Sequence, residues 1–211
     1  MVYYCHKGEN MLKNKLNITD EVELSKIEEK ITKLKALELY DSGKINTIEV
    51  GTFKGLAQIH NYLFSDIYDF AGKMRTVNIA KGNFRFASVL YLKDILKTID
   101  TMPEDNYDNI IKKYVEMNVA HPFREGNGRS TRIWLDLILK KNLGQVVDWS
   151  KVCKEDYLLA MERSPIKDTE INILLKNALT DKANDRNVYM KGIDASYAYE
   201  GYATYKLEDV I

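Results

Sequence analysis

The 211-residue sequence has little proline, little cysteine and no long apolar run. No stretch approaches the roughly 18 apolar residues that a membrane-spanning helix requires, so no membrane partner is expected. The two cysteines, Cys5 and Cys153, lie far apart without CxxC or Cys/His spacing, which argues against a disulfide framework or a zinc site. Neither charge sign is in excess, with 31 basic and 31 acidic residues, whereas a nucleic-acid binder normally shows a basic surplus. The opening MVYYCHKGEN lacks the apolar core of a signal peptide, so a soluble, cytoplasmic protein is the expectation. The ATPase phosphate-loop pattern GxxxxGK[ST] is missing too, so any nucleotide cradle here must be of another kind.

What is present is helical periodicity. Apolar residues make up 45% of the chain, an ordinary fraction for a globular protein. Leu24, Ile27, Ile31, Leu34 and Leu37 form a stripe between Asp20 and Tyr40. The same spacing recurs over Thr52–Phe64, Tyr107–Ala120 and the stretch through Ile133, Trp134, Leu137 and Ile138 to Lys141. Further helices are expected over Lys154–Arg163, Lys167–Asp181 and Val188–Glu200. Pro103, Pro122 and Pro165 fall where helices should end. Residues 76–87 alternate instead, with Val77 and Ile79 on one arm and Phe84 and Phe86 on the other of Lys81-Gly82-Asn83; this pattern predicts a β-hairpin leaning on the helices. The expected fold is all-α, a single domain with one β-hairpin flap. Residues 1–10, with His6 beside Cys5, read as a lead-in; residues 11–187 form the main domain, and 188–211 a terminal helix and tail.

The chemistry is concentrated in His121-Pro122-Phe123-Arg124-Glu125-Gly126-Asn127-Gly128-Arg129-Ser130-Thr131-Arg132. Pro122 disfavours helical geometry at His121, so the preceding helix stops there. The glycines allow a tight loop, and a glycine-rich loop entering a helix is a ready anion site, because unpaired N–H groups and the helix dipole point at it. Arg129 and Arg132 share a helix face three residues apart, where positive charge opposes the dipole; a bound polyphosphate would offset that. Glu125 offers a carboxylate for Mg²⁺. His121 is suited to take a proton near neutral pH.

This constellation resembles the Fic family signature, HxFx[D/E]GNGRxxR, at every defining position. The upstream Gly51-Thr-Phe-Lys-Gly-Leu, Ile59-His60, Phe64, Ile67-Tyr-Asp-Phe-Ala-Gly72 and Arg75 look like the family's lead-in, and the resemblance runs from about Met11 to Gly201. The resemblance implies a protein adenylyltransferase that uses ATP and Mg²⁺. His121 would deprotonate a hydroxyl of a target protein, and Glu125 would hold Mg²⁺ against the α- and β-phosphates. Backbone N–H groups of Gly126, Asn127 and Gly128 would form the anion hole, Arg129 would hold phosphate, and Arg132 would grip the γ-phosphate. The flap tip, Lys81, Gly82, Asn83 and Phe84, would close over the nucleotide, and the flap edge would pair with an extended target segment. Relatives that phosphorylate their targets carry lysine where this chain has Gly128, so the resemblance favours AMP transfer.

Ser196-Tyr-Ala-Tyr-Glu200-Gly201 looks like the family's inhibitory motif, [S/T]xxxE[G/N]. Ser196 and Glu200 lie on one helix face, Gly201 suits the position that ends a helix, and Glu200 could pair with Arg132 in place of the γ-phosphate. Ser25 and Glu29 form a rival SxxxE pair, on a helix whose charges read as a solvated face. Tyr197, Tyr199, Tyr202 and Tyr205 crowd this end and invite self-modification. Other readings remain open at this point: another phosphate-containing donor, removal of AMP from the target, an inert interaction module, or single-strand binding through Lys81, Phe84, Arg85 and Phe86. The family's dimers also suggest a homo-oligomer.

Overall fold

A computed structural model describes residues 11–82 and 84–209 of the chain. The lead-in at residues 1–10 and Asn83 at the flap tip lie outside the described residues. The elements are, in order, α1 (Glu21–Asp41), α2 (Phe53–Phe64), β1 (Ala80–Lys81), β2 (Phe84–Arg85), α3 (Val89–Asp100), α4 (Tyr107–Ala120), α5 (Asn127–Leu143), β3 (Val146–Val147), α6 (Lys154–Arg163), α7 (Thr169–Asn177), β4 (Leu179–Thr180) and α8 (Arg186–Tyr199). Among the described residues no helix is long and apolar enough to cross a membrane.

The helix starts are set by side-chain caps. Asp20 accepts from the Glu23 N–H at 2.7 Å and Thr52 from the Gly55 N–H at 3.1 Å, so these residues cap α1 and α2 and are not part of them. Asn106 does the same for α4. The helix α5 runs through the middle of the bundle, packed against α2, α4 and α8. Ile133, Trp134, Leu135, Ile138 and Leu139 are all buried along it, which makes it a core helix. Gly144, with φ 69°, ends it in a left-handed cap.

The helical expectation holds, with three corrections. Helix α3 is absent from the expectations above, although Leu92, Leu96 and Ile99 recur at helical spacing and are buried. The helix expected over 167–181 ends at Asn177, because Leu179 and Thr180 pair antiparallel with Val147 and Val146. The flap is therefore not the only β-structure; this second pairing joins residues too distant in sequence for a local pattern to reveal. The flap itself is short, with Ala80 opposite Arg85 and Lys81 opposite Phe84. A further bond from the Phe86 N–H to Ile79 O extends the pairing toward its base.

Candidate active site

The loop from 121 to 126 joins α4 to α5 and is held rigidly from several sides. His121 is the C-cap of α4, in the left-handed region at φ 46° and ψ 64°, a conformation uncommon for a non-glycine residue. The following proline explains why the helix cannot continue. The His121 N–H still donates to Met117 O at 3.0 Å. The His121 Nδ1 lies 3.2 Å from Asn118 O. A carbonyl only accepts, so Nδ1 carries the proton and Nε2 is left as the basic nitrogen. Phe86 from the flap stacks on the imidazole, with ring centroids 3.6 Å apart. Burial, and to a lesser degree the nearby Arg75 and Lys81 charges, bring the imidazole pKa down to about 4, so it is neutral at pH 7.

The glycine segment rests on two side chains. Asn127 grips Phe123 twice, accepting from its N–H and donating to its carbonyl, each at 2.8 Å. His60 from α2 lies beneath: its Nδ1 accepts from the Gly72 N–H at 2.9 Å, so its Nε2 donates to Glu125 O at 2.8 Å. The buried ring stacks on Phe123, and burial lowers its pKa to about 3, which keeps it neutral. Gly126 has φ 74°, and a Cβ there would run into the Phe64 ring, so glycine is required twice over. The Gly126 N–H turns to the Glu125 carboxylate at 2.9 Å. Asn127 and Gly128 open α5, where a helix leaves N–H groups without intrahelical acceptors.

A carboxylate already stands over that helix start. Arg132 donates from Nε to Ser196 Oγ at 2.6 Å, and from Nη2 to Ser196 O at 2.8 Å and Glu200 Oε1 at 2.9 Å. Tyr157 and Tyr199 lie against the guanidinium. A Cβ on Gly128 would collide with Glu200 Oε1, which places the carboxylate against the first turn of α5. The other oxygen of Glu200 lies 3.7 Å from Lys81 of the flap. Burial alone would raise the Glu200 carboxyl, but the Arg132 charge and hydrogen bond outweigh it and hold the pKa at about 2. Glu200 is fixed there by the end of α8. Gly201, at φ 91°, donates to Ala198 O, and the Tyr202 N–H donates to Tyr197 O, the paired bonds of a Schellman cap.

Several sequence expectations change. The resemblance puts Arg129 on phosphate, whereas in the fold its side chain is fully buried. Its Nη1 lies 2.7 Å from Glu28 of α1 and its Nη2 3.4 Å from Glu125, with Phe64, Tyr197 and Tyr202 around the guanidinium. In this arrangement it braces the start of α5 against Glu28 of α1. The α1 charges are not all on a solvated face: Glu21, Glu23, Lys26, Lys30 and Glu38 are exposed, but Glu28, Glu29 and Lys33 are buried. Glu29 accepts from the Thr204 and Tyr205 N–H groups and pairs with Lys33, which also reaches Asp194. Glu29 of the rival Ser25/Glu29 pair is thus committed to the C-terminal tail, and Glu200 is the carboxylate at Arg132. Of the four tyrosines, Tyr197 and Tyr199 are buried and closed to modification as the chain stands. Glu125 keeps a half-exposed carboxylate, and among the described residues no cluster of three or more metal-binding side chains occurs. At the flap, Lys81 is exposed and Phe84 meets Phe86 edge-on at 5.1 Å. Gly82 takes φ 58° in the turn. Sequence reasoning gave no role to His60, Arg75 or Glu28, and placed Phe86 on the flap arm without its contact to His121; only the resemblance had drawn His60 and Arg75 into view.

A helical bundle with a glycine-rich helix start, a flap and a histidine at the preceding helix end defines the helical Fic architecture. Residues 52–139 match the Fic/DOC family, so this segment of the chain is a Fic domain. It is 27% identical over 194 residues to a Salmonella typhimurium protein named "Probable protein adenylyltransferase Fic", covering 84% of this chain and 92% of that one. It is also 27% identical over 199 residues to protein adenylyltransferase VbhT of Bartonella schoenbuchensis, covering 88% of this chain but only 40% of VbhT. The crystal structure of BepC from Bartonella tribocorum, with bound AMPPNP, superposes with a TM-score of 0.68 at 21% identity, over 84% of this chain and 96% of that one. A Fic domain of Bep8 from a Bartonella species gives 0.71 at 18% identity, over 85% and 95%.

Proposed function

We propose that this protein transfers AMP from ATP to a Tyr, Ser or Thr hydroxyl of a target protein, and that Glu200 restrains it. The observation that carries this reading is the Glu200 carboxylate on Arg132, against Gly128 at the start of α5. An anion is already bound where a helix N-terminus and an arginine would receive a phosphate. Relatives named adenylyltransferases, and a fold neighbour holding AMPPNP, support the choice of donor and group.

In this reading the target hydroxyl gives its proton to His121 Nε2 as its oxygen bonds to the α-phosphorus. The bond from that phosphorus to the bridging oxygen breaks, and pyrophosphate leaves. The early N–H groups of α5 and Arg132 hold phosphate charge, and Lys81 joins them from the flap; positioning and charge neutralisation supply most of the rate. Glu125 suits Mg²⁺, since it is a half-exposed carboxylate and this ion takes one or two protein carboxylates beside phosphate and water oxygens. The ion's chemistry would be to neutralise phosphate charge. The flap's edge would receive an extended target segment. Glu200 and a γ-phosphate cannot both sit on Arg132, so ATP is held productively only when α8 yields.

The test uses ATP labelled on the α- or the γ-phosphate with wild type, His121→Ala and Glu200→Gly. Label from the α-position alone, lost with His121→Ala, is expected. Label from the γ-position would establish a kinase-type transfer instead.

A further inference from the structure

Arg75 lies outside the motif loop, between the second helix and the flap, and its side chain is buried. Its Nε donates to His121 O at 2.8 Å and its Nη2 to Ala120 O at 3.1 Å. Its Nη1 donates to Val77 O at 2.8 Å, and Nη2 also donates to Ala87 O. Ala120 and His121 close α4, whereas Val77 and Ala87 are the bases of the two flap arms. One planar guanidinium therefore bonds both arms of the flap to the end of the histidine's helix. Two backbone bonds run alongside: Arg75 N–H to Pro122 O at 2.8 Å and Ala87 N–H to Val119 O at 3.0 Å. A cation at a helix C-terminus, on carbonyls that the helix leaves unpaired, is electrostatically favourable. His121 needs such support, because a non-glycine residue in the left-handed region persists only where its surroundings over-determine it.

We propose that Arg75 is a positioning residue that fixes the backbone of His121 and ties the flap to it as one unit. The proposal rests on the reading of His121 as the reacting base. The Phe86 ring on the imidazole is the visible product of this coupling, since Phe86 is the residue before Ala87. Lysine would keep the charge but not the fork that reaches carbonyls on two elements.

The experiment compares Arg75→Lys with its parent in the Glu200→Gly protein, by AMP transfer and by NMR of the histidine rings. The chain has three histidines, and His121→Ala assigns the signal. Loss of alignment is expected to lower kcat by about tenfold to a hundredfold. The His121 signal should lose the ring-current displacement that Phe86 imposes, while the buried His60 signal stays in place and shows the fold intact. An unmoved His121 signal overturns the proposal, whether or not kcat falls. If the parent transfers no AMP, the functional reading fails, and the imidazole signal alone decides this one. If Arg75→Lys does not fold, amide exchange in the unsubstituted protein decides. The Ala87 and Arg75 amides should exchange as slowly as those of the last turn of α4; exchange as fast as at Lys81 and Gly82 overturns the proposal.

Discussion

Glu200 Oε1 lies 2.9 Å from Arg132 Nη2, and the same oxygen fills the space where a side chain on Gly128 would begin. Three residues from two distant helices thus meet at one anion position. The contact joins α8 to the start of α5, so the same carboxylate serves packing and, in the proposed reading, restraint.

Removing that carboxylate gives the first prediction. A charge-assisted hydrogen bond to arginine contributes ~1.5–3 kcal/mol, so Glu200→Gly is expected to raise AMP transfer about tenfold to a hundredfold. The measurement is initial rate of label incorporation from α-labelled ATP. A variant no faster than wild type would refute restraint by Glu200.

The buried pair Arg129–Glu28 should govern stability and not nucleotide affinity. Glu28→Gln leaves a guanidinium enclosed without its main ion partner, and breaking such a pair costs ~3–5 kcal/mol. A large fall in Tm is expected, with ATP affinity of the folded fraction little changed. Weakened ATP binding at an unchanged Tm would return Arg129 to the phosphate.

His121 sets the pH behaviour. Its pKa is lowered by burial to about 4, and the basic, neutral form exists above that value. In Glu200→Gly the nearby negative charge that raises this pKa is gone, so the acid limb should not move upward. kcat/KM is expected to be flat from pH 8 to about 5 and to fall only below that. An acid limb centred near the ordinary histidine value of 6.5 would contradict this environment for the ring.

Asp136 predicts a pH-dependent stability. Burial raises its carboxyl to about 7, although the Val147 N–H and the Trp149 indole N–H both donate to it. The folded state therefore holds this proton more tightly than the unfolded state. The sign follows: its contribution is complete below the ordinary value of 3.8, declines as pH climbs toward 7, and is constant above. Denaturant titrations should show a loss on the order of a few kcal/mol across that window, and a flatter profile for Asp136→Asn. Equal slopes would show that another group is responsible.

Local spacing made much of this protein legible. The 3.6-residue period marked α4 and α6 at their observed ends, because an amphipathic stripe acts within a few residues, helped at α4 by the Asn106 cap. The loop from His121 to Gly128 was legible for the same reason: Pro122 stops one helix and the glycines permit the next to start. So was the shared face of Ser196 and Glu200. Partners from far along the chain were not. Arg129 and Arg132 are the same residue type on one helix, and only the arrival of Glu28 from α1 and Glu200 from α8 makes one a strut and the other an anion receptor. Glu29 likewise looked solvated until the tail after α8 covered it. The reach of Arg75 across the flap and α4, and the pairing of Val146–Val147 with Leu179–Thr180, also exist only once the helices are packed. Periodicity and caps are short-range and can be read in order along the chain, whereas the choice of a buried charge's partner is made by desolvation, which acts only when the elements close around it.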